Sequence, residues 1–191
     1  LNINLNLINK PEEALEKRAN IINCCNDEIK VEVGFSTPQA GDAAFKALEK
    51  ATKDLKDGKI DVLVTAPINK NNIQSNNFSF PGHTEYLESL FGEKGDALMI
   101  LANESLRIAV ATGHVPVSKI SSCLTQENIL KKIKQFNKSL IEDFGIFKPR
   151  IAVLGLNPHA GDKGVIGKEE EEIIFPAVKQ ALDEGIICFG P

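Results

Sequence analysis

The stretch Arg150–Asp162 reads Arg-Ile-Ala-Val-Leu-Gly-Leu-Asn-Pro-His-Ala-Gly-Asp and combines the two features on which the fold depends. Its first half is a short aliphatic run flanked by chain breakers, which is typical of a strand buried on both faces of a parallel sheet. Its second half is a tight polar turn that carries His159. Because ligands of open α/β sheets bind beyond the carboxyl ends of the strands, His159 is a candidate site residue.

An aliphatic run followed by a polar turn occurs twice more in the chain. Leu106–Thr112 leads into a turn with His114, and Ile60–Ala66 leads into a turn with Lys70. The third histidine, His83, lies in a Pro-Gly turn farther along. A loop histidine that only bonds a neighbouring carbonyl group is the alternative for each one, but three in equivalent positions favour a shared site.

The pattern along the whole chain predicts an α/β fold with a mixed, mostly parallel sheet and flanking helices. Strand, helix and strand in succession predict a parallel pair, whereas two apolar runs joined by a short turn predict an antiparallel hairpin. The predicted helices are 11–22, one between Thr37 and Gly58, 85–91, one capped by Thr125, and 168–182. The remaining predicted strands are 1–10, 29–35, 97–102 and 186–189. The polar loop 71–80 suits mobility or ligand contact better than packing.

Size and charge exclude several classes of protein. A chain of 191 residues with net charge −4 and no basic stripe has no electrostatic footprint for nucleic acid or an anionic membrane. It has no apolar segment of membrane-spanning length and no signal-peptide pattern. Four scattered cysteines predict reduced thiols in a cytoplasmic protein. The start at Leu1 and the end at Pro191 lead us to expect a piece of a longer chain.

Two kinds of chemistry fit these turns. Neutral imidazoles bind divalent transition metals, so His114 and His159 are the candidate metal ligands, for zinc, cobalt, magnesium or manganese with the transition metals preferred. His83 and Thr84 precede a predicted helix, whose first N–H groups suit an anion such as phosphate. Lys70 would add positive charge for the same anion, or it is a solvated loop lysine. No dinucleotide glycine fingerprint and no P-loop occurs.

Four motifs in one order resemble the 4-hydroxythreonine-4-phosphate dehydrogenase family of pyridoxal phosphate biosynthesis. They are Val64–Lys70 (Val-Thr-Ala-Pro-Ile-Asn-Lys), Pro81–Glu85 (Pro-Gly-His-Thr-Glu), Ala111–Pro116 (Ala-Thr-Gly-His-Val-Pro) and Gly155–Gly161 (Gly-Leu-Asn-Pro-His-Ala-Gly). The resemblance runs from about Thr37 to Pro191, and the four motifs are specific only together. Leu1–Asp27 matches the family poorly.

The resemblance implies a reaction and a set of site residues. The reaction is NAD-dependent oxidation of 4-phosphohydroxy-L-threonine at C3, followed by decarboxylation and assisted by a divalent metal. His83 and Thr84 match the residues that contact this small phosphorylated amino-acid substrate, and Lys70 and His83 are the expected catalytic residues. His114 and His159 match two of three metal-binding histidines. The third histidine and much of the NAD pocket would lie outside this chain.

The resemblance also implies an architecture. The family's fold is similar to isocitrate and isopropylmalate dehydrogenases, in which NAD lies in an interdomain cleft, and its enzymes are homodimers with shared active sites. We therefore expect residues 1–84 to be part of the first α/β domain. Residues 85–191 would form a middle α/β domain with the metal-binding loops and a dimerisation region.

Three other readings stay open at this stage. Related enzymes oxidise phosphorylated threonate or erythronate, or a dihydrodiol, and the motifs do not separate these substrates. The chain could instead be a non-catalytic metal- or phosphate-binding fragment, or a dimerisation domain whose histidines have no chemical role. We expect little or no dehydrogenase activity from these 191 residues alone, since the implied site is incomplete.

Overall fold

The computed structural model describes residues 4–25, 29–30, 32–93 and 95–191, which form an α/β structure. Its helices are α1 (Pro38–Lys56), α2 (His83–Phe91), α3 (Ile120–Cys123), α4 (Gln126–Glu142) and α5 (Phe175–Asp183). Its strands are β1 (Leu5–Ile8), β2 (Ala19–Ile22), β3 (Ile100–Ala102), β4 (Arg107–Ala109), β5 (Ile151–Ala152) and β6 (Cys188–Phe189). Among the described residues β1–β2 and β5–β6 are parallel pairs and β3–β4 is antiparallel, so the mixed, mostly parallel α/β prediction is confirmed.

The chain divides into two compact units, Leu1–Ala97 and Leu98–Pro191. In the first unit, α1 begins as the sequence predicts, because Thr37 Oγ1 accepts a hydrogen bond from Ala40 N (3.3 Å) and Pro38 occupies the first turn. The buried face of α1 packs on the loop that follows Lys70 and on α2. The core of this unit comprises Phe45, Leu48, Ile73, Phe78 and Tyr86.

The helix predicted over residues 11–22 is wrong. The structure has a single 3-10 turn at Pro11–Glu13 and then strand β2. Asn20 explains the difference: its Oδ1 accepts from Leu15 N (3.0 Å) and from Asn6 Nδ2 (2.8 Å). Its Nδ2 donates to Leu15 O (3.0 Å). Local bonds from asparagine side chains compete with the helical hydrogen-bond pattern, and here they stabilise the parallel pair.

Two strands predicted around α1 have no counterpart among the residues that the structure describes. The one at Ile29–Phe35 includes residue 31, which lies outside the described residues, and its end is a turn in which Phe35 N donates to Glu32 O (3.1 Å). Ile60–Ala66 has no ladder partner in the described part of the chain, and Val62 and Val64 are 73% and 89% exposed. A strand buried on both faces needs neighbours on both sides, which local sequence cannot specify.

The second unit is built on α4 and α5. Thr125 Oγ1 caps α4 by accepting from Asn128 N (3.1 Å), as predicted. The predicted hairpin is present as β3 and β4, paired from Ile100↔Ala109 to Ala102↔Arg107. The apolar faces of α4 and α5 cover β5 and β6 in a core that includes Ile129, Ile133, Leu140, Ile151, Ile174, Val178 and Cys188.

The strand at Arg150 is only partly what the sequence predicts. β5 pairs with β6 through Ile151↔Cys188 and Ala152↔Phe189, and Ile151 is buried. Leu154 is 81% exposed, so burial on both faces is wrong for this end of the run. The predicted helix 168–182 is present, but its first turn, Glu170–Ile174, is a π turn that continues into α5. None of the helices in the described part of the chain has the length and apolar character that a membrane crossing requires.

Candidate functional site

The amino terminus of α2 is the first candidate position for an anionic group. His83 and Thr84 are the first two residues of this helix, and both are half-buried. Lys70 and the Glu85 carboxylate both lie beside the same terminus, since a Cβ atom built on Gly82 would be 3.6 Å from Lys70 Cε and Glu85 Oε2 and 3.8 Å from Lys70 Nζ. The first N–H groups of a helix, its dipole and an ammonium group all favour a negative charge at this position.

The loop 71–80 fixes the main chain of Lys70 through a hydrogen bond from one of its side chains. Gln74 Nε2 donates to the carbonyl oxygens of Lys70 (3.0 Å) and Phe80 (2.9 Å), which ties the two ends of the loop together. Phe78 is fully buried in the core of the first unit. The expectation that this loop suits mobility or ligand contact better than packing is therefore wrong for its apolar residues, which anchor it.

His114 lies in a strained turn after β4, as the sequence predicts for a histidine that follows a strand. Its side chain is exposed and its backbone is left-handed, with φ of 49°. Non-glycine residues in this region cost on the order of 1–3 kcal/mol and persist only where surrounding contacts fix them. Such strain is most common at functional sites, which is one reason to retain His114 as a candidate ligand.

His159 begins an unusual run of left-handed residues. The φ angles from His159 to Lys163 are 53°, 49°, 75°, 45° and 54°, and only Gly161 among them is glycine. The segment 157–163 is called here the His159 loop. Because several residues of this loop oppose their own backbone preference, other parts of the chain must hold it in this shape.

Glu170 is the most direct of these supports. The residue is 3% exposed, and its carboxylate accepts hydrogen bonds from Asn157 N (2.6 Å) and Asn157 Nδ2 (2.9 Å). A Cβ atom built on Gly161 would lie 2.8 Å from Glu170 Oε2, and one on Gly155 would lie 3.3 Å from Oε1. Gly161 is therefore needed for the carboxylate to fit beside the loop, and a side chain at position 155 would require the carboxylate to shift slightly.

Glu169 reaches the same loop and one other segment. Its Oε2 accepts from Asn157 Nδ2 (2.8 Å), and its Oε1 accepts from Ser121 Oγ (2.6 Å). Ser121 belongs to α3, which begins six residues after His114. Glu169 thus links the His159 loop to the segment that follows the other candidate metal ligand.

The hydrogen bonds keep both carboxylates ionised. The Ser121 hydroxyl, backbone N–H groups and the Asn157 amide together lower the pKa of Glu169 to about 2. Burial acts to raise the pKa of Glu170, but the side-chain and backbone donors of Asn157 favour its charged form. The net pKa of Glu170 therefore lies below its ordinary value.

Acid should weaken this network through Glu169. Its folded-state pKa of about 2 lies below the ordinary value of 4.5, so the stabilisation is complete above pH 4.5 and is lost as the pH falls towards 2. We expect the thermal midpoint of the wild-type chain to exceed that of Glu169→Ala, which removes both hydrogen bonds, at neutral pH and to approach it at pH 2. Circular dichroism melts of both proteins across this range measure the difference. A constant difference at all pH values would contradict the assignment.

A cleft of about 390 Å³ opens beside the His159 loop. Its walls include His159, Asp162, Lys163, Glu170 and Phe175, so they combine both signs of charge with one aromatic ring. Since the cleft is next to the exposed imidazole, a small polar ligand could reach His159 through it.

The candidate metal ligands do not form a complete site by themselves. Imidazole is a suitable donor for zinc and cobalt, but the described residues contain no group of three or more His, Cys, Asp or Glu side chains that could hold a metal ion. A metal bound by His114 and His159 would need at least one further ligand from elsewhere. All four cysteines are free thiols, and they are not part of such a cluster in the described structure.

Sequence reasoning missed the roles of Glu169, Glu170 and Asn157. Acidic residues in a first turn ordinarily complement the helix dipole, but that role does not explain why Glu170 is buried. A local signal was present in the spacing of glycines, at 155, 161 and 167, around a polar turn. Small residues on both sides of a turn indicate that another group approaches its backbone closely.

A solved dehydrogenase has this fold. The crystal structure of 4-hydroxythreonine-4-phosphate dehydrogenase from Klebsiella pneumoniae superposes with a TM-score of 0.84 and 34% sequence identity, covering 98% of this chain and 57% of that one. The sequence model of the family described as pyridoxal phosphate biosynthetic protein PdxA matches residues 1–191. The chain belongs to this family.

Curated relatives agree with the assignment to this family. The 4-hydroxythreonine-4-phosphate dehydrogenase of Bacteroides thetaiotaomicron is 51% identical over 188 residues, which are 98% of this chain and 52% of that protein. The enzyme of the same name from a Sulfurihydrogenibium species is 43% identical over 164 residues, 86% of this chain and 51% of that protein. The chain therefore spans about half the length of the curated relatives that it matches.

Proposed function

We propose that the full-length protein oxidises 4-phosphohydroxy-L-threonine at C3 with NAD and that the product then loses carbon dioxide, as a step of pyridoxal phosphate biosynthesis. The observation that carries this proposal is the family match over residues 1–191, together with relatives that bear this enzyme name. The expected histidine positions and the fold of a solved dehydrogenase support it.

The substrate phosphate or carboxylate would lie at the amino terminus of α2. His83 and Thr84 would contact the substrate there, and Lys70 would supply positive charge beside them. The substrate hydroxyl must lose a proton as its carbon transfers a hydride to NAD, and we propose that Lys70 and His83 serve this proton transfer as the catalytic residues. Hydrogen bonds to a developing negative charge would stabilise the transition state more than the bound substrate.

His114 and His159 are the proposed ligands of a divalent metal, which is zinc, cobalt, manganese or magnesium, and imidazole favours the transition metals among them. When bound, such an ion would lower the pKa of a coordinated hydroxyl group and polarise a carbonyl group. The described residues hold only part of the ligand set. We therefore propose that the set is completed outside them, in a homodimer with shared active sites.

The proposal extends to organisation and location. Residues 1–84 would be part of a first α/β domain, and residues 85–191 would form the middle domain with the histidine loops and the dimerisation region. A metabolic enzyme with four free thiols is expected in the reducing cytoplasm.

The test is substrate-dependent reduction of NAD by the full-length protein. NADH formation is followed by absorbance with 4-phosphohydroxy-L-threonine, and in parallel with phosphorylated threonate and erythronate. The proposal predicts the highest kcat/KM for the first compound and a loss of about 100-fold or more in His83→Ala, as expected when a proton-transfer group is removed. A higher kcat/KM for phosphorylated threonate or erythronate would show that the protein is a dehydrogenase of that compound instead. Metal or phosphate binding without turnover of any compound would favour a non-catalytic binding protein.

A further inference from the structure

Asn157, at the start of the His159 loop, donates to two consecutive carboxylates. Its side-chain nitrogen donates to Glu169 Oε2 (2.8 Å) and Glu170 Oε2 (2.9 Å), and its backbone N–H donates to Glu170 Oε1 (2.6 Å). Both hydrogens of the amide group and the backbone hydrogen are therefore used. A single residue is fixed from both its main chain and its side chain, two residues before the left-handed run begins at His159.

Glu170 is placed where only a carboxylate satisfies its neighbours. Both of its oxygens accept hydrogen bonds from Asn157, and the whole residue is buried. It is also the first residue of the π turn that precedes α5. Insertions of this kind are rare and occur most often at functional sites, where they direct a side chain that a regular helix would point elsewhere.

Glu169 has a different geometry from Glu170. One of its oxygens accepts from Asn157 and the other from the hydroxyl of Ser121. A hydroxyl group can accept as well as donate, so a glutamine at position 169 could keep both bonds by donating its amide to Ser121 Oγ. A glutamine at position 170 could not, because its amide would face one of two N–H donors.

We propose that Glu170 is a positioning residue that fixes the His159 loop and with it the direction in which His159 is presented, while Glu169 couples that loop to the segment after His114. The consequence for the reaction rests on the proposed function, but the positioning itself does not. Neither carboxylate is required to touch substrate or metal. Their role is to hold two histidine-bearing segments in a fixed relation within the second unit.

The test compares Glu170→Gln, Glu169→Gln and the control Glu172→Gln in the full-length protein. Glu172 is in the same acidic run, but its side chain is 66% exposed and its ion pair with Lys168 is long (4.0 Å). The primary readout is the rate of hydrogen exchange at four backbone amides. The amide of Asn157 donates to Glu170, and the amides of residues 164–166 donate to the carbonyl groups of Gly161 and Asp162. The exchange rate is measured without substrate or added metal, alongside amides of α4 as the global reference.

Glu170→Gln is expected to accelerate exchange at these amides by about tenfold or more, as for loss of a hydrogen bond to a buried charged acceptor. Exchange in α4 should be unchanged. In Glu169→Gln and Glu172→Gln the exchange rates should stay within about threefold of those in wild type, because the first variant keeps its hydrogen bonds and the second loses only an exposed ion pair. In the NAD assay, Glu170→Gln should lower kcat while leaving the KM for NAD unchanged.

Two results would overturn the proposal. One is exchange in Glu170→Gln equal to that in Glu172→Gln, and the other is a uniform rise that includes α4, which would mean general destabilisation. Should Glu170→Gln fail to fold, Asn157→Ala takes its place. That variant removes the side-chain bonds to Glu169 and Glu170, and it must accelerate exchange at residues 164–166 without affecting α4. If the wild-type protein does not reduce NAD, the proposed function is wrong. The positioning role of Glu170 is not affected by that result, because hydrogen exchange tests it separately.

Discussion

Phe78→Ala is expected to lower the free energy of unfolding of the first unit by about 3–5 kcal/mol, the range for removing a fully buried aromatic ring. Phe78 is 0% exposed and stands at the centre of an aromatic cluster. Its ring centroid lies 5.3 Å from that of Tyr86, 5.5 Å from that of Phe80 and 5.9 Å from that of Phe45. The surrounding rings belong to α1, α2 and the loop, so they cannot all collapse into the space that is left.

The measurement is urea denaturation followed by tyrosine fluorescence. The chain has one Tyr and no Trp, so the signal reports on Tyr86 inside this cluster. Phe35→Ala is the matched control in the same unit, because Phe35 is 72% exposed and its removal should change stability by about 0.5 kcal/mol or less. Equal effects of the two substitutions would show that the cluster is not the core of the unit.

Phe78 also has a functional consequence. It anchors the loop that follows Lys70 in the core, and its ring packs against Tyr86 of α2, the helix that begins with His83. Loss of its ring should therefore loosen the candidate anion position as well as the core. The same denaturation series with added inorganic phosphate tests this, because a ligand that binds only the folded state raises the midpoint. That increase should be present in Phe35→Ala and smaller in Phe78→Ala.

Gly161→Ala is the second large effect, with an expected loss of about 2–4 kcal/mol from backbone strain and overpacking together. Gly161 has φ of +75°, and a Cβ atom there would come 2.5 Å from Gly167 O and 2.8 Å from Glu170 Oε2. The methyl group would thus push the His159 loop away from Gly167 and Glu170. Thermal unfolding monitored by circular dichroism measures the change.

Gly145→Ala provides the control for backbone strain alone. Gly145 is also left-handed, with φ of +66°, but a Cβ atom there would have nothing within 4 Å. Its substitution should cost about 1 kcal/mol, the penalty for a left-handed residue that bears a side chain. The difference between the two variants isolates the steric overlap in the loop. If Gly145→Ala is as destabilising as Gly161→Ala, the close packing around Gly161 contributes nothing.

The helices could be predicted because their signals are local. Capping groups lie directly before two apolar stripes of helical period, Thr37 with Pro38 before one and Thr125 before the other. Helices α1 and α4 begin at these positions. The failed helix over residues 11–22 had apolar spacing but no cap. There the side chain of Asn20 bonds the main chain of Leu15, an interaction that periodicity does not reveal.

Strand burial could not be predicted in the same way. Ile60–Ala66 has the composition of a buried parallel strand, yet Val64 is 89% exposed because no strand in the described part of the chain pairs with this run. Pairing partners are distant in sequence and are set by the fold as a whole. The hairpin of β3 and β4 was predictable because its two runs are neighbours along the chain.

The candidate site, too, has features that local sequence predicts and features that depend on distant contacts. That His114 and His159 lie in turns after strands follows from the local sequence, and the structure confirms those positions. The left-handed backbone of both residues could not be predicted, since it is uncommon for histidine and depends on contacts elsewhere. The bonds between Asn157 and Glu170 span 13 residues and are visible only in the structure.

The most direct test of the central claim, that the two histidine loops serve one site, is a metal titration of the full-length protein with His114→Ala, His159→Ala and the double variant. Competition with a chromophoric chelator measures the affinity for Zn²⁺. If both histidines bind one ion, each single substitution should abolish binding of the same Zn²⁺ ion. The double variant should then show no further loss, because ligands of one ion act together. Independent, additive losses would mean two separate sites, and unchanged affinity in all variants would contradict the metal assignment outright.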